Sequence, residues 1–340
     1  MVFDSEETVQ SGKKSEGFRV QQNEHFPVGA PNFDANRDSG SETDVEHGAT
    51  DENAPPEYPG YSLPHRLRAP LAEMLGTFVL VLMGLGSNVN AFVNWSNESN
   101  YVAYTFGWGV GLFLALLISI PYAGGHVNPA ITISQAFFRG FAWRMVPIYI
   151  ASQTLGAFLA AVALNGVFYN LLDSVEGEPG LRTFGEVNST AQFFIAVPSG
   201  HLSNVSTVFY EIIGGAMLLL GVAVVSDDEV AGDWSMWVKS LVMYLTLVGV
   251  NGAIGVKTPL ALNPARDFGP RVACSAFGYP AHMWTDRNGY WFYGAWAGPI
   301  LGGLIVTAIY DLAVRKRVQV TIPFLDRRRR HRRRRTERND

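Results

Sequence analysis

The 340-residue chain has a single cysteine, Cys274, which excludes an intramolecular disulfide and reads as a small buried hydrophobe. Charge is also scarce. Only 16% of residues are Asp, Glu, Lys or Arg against 48% hydrophobic, too apolar a balance for an ordinary soluble domain. The first 30 residues hold no apolar core of the signal-peptide kind, so no cleaved targeting segment is expected. The seven histidines are scattered, and no His/Cys cluster or nucleophile with a base stands out. That excludes catalytic, metal and cofactor sites from the expectation.

The averages hide three zones. Residues 1–65 are rich in Ser, Glu, Asp, Asn, Gly and Pro and cannot bury enough apolar surface to offset ordering entropy, so this acidic tail is expected to be disordered. Residues 66–314 are dominated by long apolar runs. Residues 315–340 end in a basic tail, Arg327-Arg328-Arg329-Arg330-His331-Arg332-Arg333-Arg334-Arg335, and the net charge of -4 is one tail cancelling the other.

Six stretches are long and apolar enough to span a bilayer: roughly Pro70–Val93, Val102–Pro121, Val146–Leu171, Val205–Val225, Met236–Ile254 and Tyr290–Val314. Two further apolar runs are too short to span, Ile131–Phe138 and Phe268–Phe277 with their flanks. Each is preceded by Asn-Pro-Ala, at Asn128-Pro129-Ala130 and Asn263-Pro264-Ala265. Asn is a strong N-cap and Pro is favoured at the first helical position, so both motifs predict re-entrant half-helices opening at mid-depth. Irregular backbone at that depth requires burial in protein or a wet cavity, so the pair predicts a water-lined path.

The order span, span, half, span then repeats. Glu73 opens Glu-Met-Leu-Gly-Thr 55 positions before Asn128, and Glu211 opens Glu-Ile-Ile-Gly-Gly 52 positions before Asn263. Two copies of a three-span unit, about 66–172 and 205–314, insert in opposite senses, an inverted repeat with its site near the midplane. Arg66, Arg68, Arg139, Arg144, Arg315, Lys316 and Arg317 place both termini in the cytoplasm by the positive-inside rule, against which only the acidic loop from Ser226 to Asp233 counts. Glycosylation triplets at Asn94, Asn97, Asn188 and Asn204 all fall in loops that this topology puts outside. Glycines inside the spans read mainly as packing positions.

The twin Asn-Pro-Ala motifs, the two glutamates, Tyr149-Ile150-Ala151-Ser152-Gln153-Thr154-Leu155-Gly156 and the run from Asn263 to Arg271 together resemble the major intrinsic proteins, the aquaporins and aquaglyceroporins. The resemblance covers about residues 66–314. It implies an all-α bundle of six tilted spans and two half-helices, a homotetramer with one pore per subunit. It also implies passive flux of small neutral solutes past Asn128 and Asn263, and a constriction of Trp108, Asn251, Leu260 and Arg266. Trp108, Asp267 and Arg271 look like the glycerol-conducting branch, where an aromatic face supports the carbon side of a polyol and Arg266 binds its hydroxyls. Leu260 departs from that branch, standing where an aromatic often completes the filter, and Trp296 resembles the water-selective one. Against that second branch, Asn251 occupies a position that usually holds His, and Asn and Leu leave the hole wider. By resemblance, Glu73 and Glu211 accept from the backbone of the loops entering the half-helices, a structural role, and His126 orients the first of those loops.

Glycerol and water are therefore the expected solutes, with urea and hydrogen peroxide of the same size class. An orthodox water channel and a water/peroxide channel with little glycerol flux stay open. A secondary transporter would want an ionisable coupling residue at the midplane besides Arg266, and a scaffold would keep the fold without the pore. The Arg-rich tail reads as a contact for anionic lipid rather than an import-like signal, and no nucleic-acid partner is expected. The acidic first tail reads as solvated chain, with phosphorylation or occlusion of the cytoplasmic mouth as alternatives. The plasma membrane is the expected location.

Overall fold

The computed structural model describes residues 64–93, 99–255, 260–315 and 320. The tail beyond them at each end, and the triplet asparagines Asn94 and Asn97, lie outside the described residues. Every regular element among those described is helical. Six segments are long and apolar enough to cross a membrane: Arg66–Val93, Tyr101–Ala123, Trp143–Glu176, Asn204–Val225, Met236–Ile254 and Tyr290–Ala313. They match the six expected from hydropathy, and their exposed outer faces carry large apolar side chains such as Leu75, Phe209, Leu245 and Ile305, as lipid contact requires.

In chain order, α1 (His65–Val93) and α2 (Ser99–Ala123) lead to the half-helix α3 (Pro129–Phe138), and α4 (Val146–Glu176) closes the first repeat. A connection containing the short α5 (Ala191–Phe194) leads to α6 (Asn204–Val225). The short α7 (Asp228–Ala231) precedes α8 (Met236–Ile254), followed by the second half-helix α9 (Pro264–Phe277). The last span is not one regular helix. It runs through α10 (Tyr290–Phe292), a π-helical turn at Tyr293–Ala297 and α11 (Gly298–Ala313).

The inverted repeat is visible in how the helices touch. α1 packs on α2 and α4, as α6 packs on α8 and α11. At Gly156 in α4, a Cβ would fall 2.2 Å from the Met74 carbonyl oxygen. At Gly302 in α11, it would fall 2.0 Å from that of Ile212. Met74 follows Glu73 and Ile212 follows Glu211, so each repeat uses one glycine to bring its outer span onto the residue after its buried glutamate. Lipid supplies no hydrophobic drive between spans, so this backbone proximity carries the packing.

At one end of the bundle, the C-terminus of α3 is tied to that of α11. Arg139 makes a bidentate pair with Asp311, at 2.8 and 2.9 Å, and Asp311 is 1% exposed. Arg315 lies 3.6 Å from both Asp311 and Asp227, and the Tyr310 hydroxyl donates to Asp227 at 3.0 Å. Asp227 in the acidic loop is thereby paired with a basic residue just past the last span, and that loop carries less free negative charge than its composition suggests.

Candidate pore

The two half-helices begin as their motifs dictate. Asn128 caps α3 by accepting from the Ala130 amide at 2.8 Å, and Asn263 caps α9 by accepting from that of Ala265 at 3.0 Å; Pro129 and Pro264 take the first helical positions. The residues just before the caps, Val127 and Leu262, have positive φ of 44° and 53°, a conformation that side-chain-bearing residues avoid.

The buried glutamates hold that strained backbone. Glu73 accepts from the amides of His126 at 2.9 Å and Val127 at 2.6 Å, and also from Ser119 Oγ at 2.5 Å and Gln153 Nε2 at 2.7 Å. Glu211 accepts from the amides of Ala261 at 2.7 Å and Leu262 at 3.0 Å, with the Tyr290 hydroxyl at 2.7 Å. Each carboxylate therefore presents one loop's carbonyls toward the opposite half-helix. Asn128 Nδ2 donates to Leu262 O at 3.0 Å, and Asn263 Nδ2 donates to Val127 O at 2.8 Å. A carboxamide nitrogen carries two hydrogens, so one on each asparagine remains for a third partner. His126 is packed against Phe141 and Tyr149, with Nδ1 3.2 Å from Thr132 Oγ1, and belongs to the loop's support.

A narrow cavity runs past this meeting point. Its lining includes both asparagines, Arg266, Trp108, Asn251 and Leu260, together with Tyr104 and aliphatic side chains such as Leu80, Leu112, Leu218 and Leu247. The wall is thus apolar apart from a few polar groups. Arg266 is 2% exposed, and among the described residues neither Nη1 nor Nη2 finds a hydrogen-bond partner. Buried donors left without hydrogen bonds are costly, and a ligand in the cavity could accept from them. Its Cζ lies 4.7 Å from the Trp108 ring centroid, a cation–π arrangement with the indole face turned to the charge. Asp267 is not its counter-ion. It pairs with Arg271 at 3.0 Å and accepts from the Ala196 amide at 2.8 Å, fixing α9 to the loop after α5.

Three contributors escaped the motif reading. Asn88 on α1 accepts from Trp108 Nε1 at 2.9 Å and donates to Phe193 O at 3.0 Å, which sets the plane of the indole. A polar side chain inside an apolar span was its available signal. Tyr104 shares Trp108's helix face four residues earlier, and that spacing could have found it. Tyr290, which orients Glu211, had no sequence signal. Trp296 is absent from the cavity lining and packs in a cluster with Phe268, which also touches Trp284 and Trp291. Of the glycosylation candidates, Asn188 is exposed in a turn, whereas the Asn204 carboxamide oxygen lies 3.2 Å from Arg287 Nη1.

Six spans with two half-helices meeting tip to tip around a narrow, cation-bearing cavity define a membrane pore protein of the re-entrant-helix class. The major intrinsic protein model matches residues 61–310, and the chain belongs to that family. It is 35% identical over 250 residues to the aquaglycerol porin AQY3 of Saccharomyces cerevisiae, covering 74% of this chain but spanning only 38% of the yeast protein's length. It is 34% identical over 252 residues to aquaglyceroporin-2 of Rhizophagus irregularis, covering 74% of this chain and 78% of that one. The X-ray structure of the aquaglyceroporin from Plasmodium falciparum aligns with a TM-score of 0.65 at 26% identity, covering 73% of this chain and 96% of that one.

Proposed function

We propose that this chain is a passive, proton-excluding channel for small uncharged solutes, glycerol and water foremost. The observation that carries the reading is the Arg266 guanidinium, without a hydrogen bond at either terminal nitrogen and set over the Trp108 ring in a largely apolar cavity. A polyol has a polar edge and a carbon edge. Its hydroxyls can take up the free donors of Arg266 while its carbons lie along the edge of the indole, whose faces are covered by α1 and the guanidinium, so little hydration is lost uncompensated. Asn251 and Leu260 line the same cavity. The relatives named as aquaglyceroporins point to the same solutes.

Proton exclusion follows from the asparagine pair. An oxygen that accepts from both Asn128 and Asn263 has its own hydrogens turned to the two mouths, and a file oriented in that way cannot relay a proton across its centre. Two half-helix N-termini, each worth roughly half a positive charge, and the Arg266 cation oppose any positive ion in the same cavity. Urea and hydrogen peroxide fall in the same size class. The reading extends to a homotetramer in the plasma membrane with both termini cytoplasmic. Its Arg-rich tail rests on anionic lipid, and Asn188 is the favoured glycan site.

Reconstituted proteoliposomes under stopped flow test it. The wild type should pass glycerol above the lipid background, without saturation and with a low activation energy. Trp108→Arg should lose most of that flux. Equal glycerol flux in the two proteins would remove the filter, and none in the wild type would remove the function.

A further inference from the structure

Leu260 gives the cavity that Trp108 and Arg266 line an aliphatic side chain rather than a flat ring, yet a second ring lines it too. Tyr104 stands four residues before Trp108 on α2, one helical turn or about 6 Å along the axis, on the side away from the asparagines. Residues four apart share a helix face, so the two rings project into the same cavity. Tyr104 is held in place. It stacks on Tyr101 with centroids 5.6 Å and planes 22° apart, and the Tyr101 hydroxyl donates to the Asn251 carbonyl on α8. Ser87 Oγ on α1 lies 3.3 Å from the Tyr104 carbonyl, so three helices set this ring's position.

Resting on the channel reading above, we propose that Tyr104 is a specificity-determining residue whose ring forms the second aromatic wall of the solute path. A linear polyol of three or four carbons is about as long as one helical turn, so its carbon edge spans Tyr104 and Trp108 while its hydroxyls point to Arg266. Water has no carbon edge and gains nothing from the second ring. Tyr104 therefore acts on polyol flux and not on water flux.

The test is the ratio of glycerol to water permeability, with erythritol as a third solute, for wild type, Tyr104→Phe, Tyr104→Leu and Tyr104→Ala in proteoliposomes. The Phe variant keeps the ring and should stay within about twofold of wild type. The Leu and Ala variants should each lower the glycerol ratio at least threefold, and erythritol further, with water flux retained as the sign of a folded pore. Tyr104→Leu keeps most of the apolar volume, so it carries the test if the Ala variant fails to insert. An unchanged ratio in a water-conducting Leu or Ala variant overturns the proposal, as does a fall in Tyr104→Phe equal to that in Tyr104→Leu. Absence of glycerol flux in the wild type instead overturns the channel reading on which this rests.

Discussion

Gly84→Ala is a single-methyl change on α1, outside every recognisable motif, that should close the path to glycerol. A Cβ at Gly84 would fall 2.2, 2.3 and 2.4 Å from Cε3, Cδ2 and Cζ3 of Trp108. Near-equal distances to three adjacent ring atoms place that methyl over the indole face, and Arg266 occupies the space over the ring at 4.7 Å. The ring is sandwiched between a helix backbone and the guanidinium. Ordinary contact begins near 3.4 Å, so the indole must retreat about 1.2 Å from α1 toward the lumen and Arg266. Such overpacking costs about 1–3 kcal/mol of stability, which leaves the protein folded, but a lumen that admits one polyol in single file has no spare ångström. We expect glycerol permeability to drop at least tenfold, equivalent to about 1.4 kcal/mol on the barrier, while water drops less than about threefold. Stopped-flow shrinkage with each solute on matched vesicles reads both. Adding Trp108→Phe, which withdraws the outer six-membered ring, should restore part of the glycerol flux. An unchanged glycerol-to-water ratio in a normally inserted Gly84→Ala protein would show that the indole does not border the solute path.

Two further expectations concern the frame. Glu73→Gln and Glu211→Gln each turn an amide nitrogen toward backbone donors that need an acceptor, at strained Val127 and Leu262. Each should lower stability by roughly 2–4 kcal/mol, read as thermal unfolding in detergent, and should impair water and glycerol flux together. A melting point unchanged in both would refute the bracing role. Asp311→Ala strips Arg139 of its bidentate partner and should cost roughly 3 kcal/mol with the glycerol-to-water ratio preserved, because that cluster lies away from the filter; a loss below about 1 kcal/mol would count the pair as surface-like.

The six spans and both half-helices were legible because their signals are local: unbroken apolar length, and an Asn-Pro pair that caps a helix wherever it occurs. Boundaries slipped where polar residues prolong a helix past its apolar stretch, as at Asp173 and Glu176 at the end of α4. The π-turn at Tyr293–Ala297 left no trace in an even apolar run, since nothing in its composition distinguishes a backbone bond five residues apart from one four apart. The pairing of Asp267 with Arg271 was readable from their spacing, and the structure forms it. Trp296, by contrast, resembles the water-selective branch in sequence, but its ring packs on Phe268 and does not line the cavity. Contacts between elements distant in sequence, such as Asn88 with Trp108 and with Phe193, could not be read because no local rule brings their partners together.

The crossed amide bonds from Asn128 to Leu262 and from Asn263 to Val127 carry a lesson for biosynthesis. A ribosome delivers the first tip well over a hundred residues before the second, so the earlier loop waits in the membrane with its carbonyl and its amide both lacking mates. Completion of either half is thus conditional on arrival of the other, and a nascent chain halted in the loop before α6 would hold four finished helices around an open, unlatched centre.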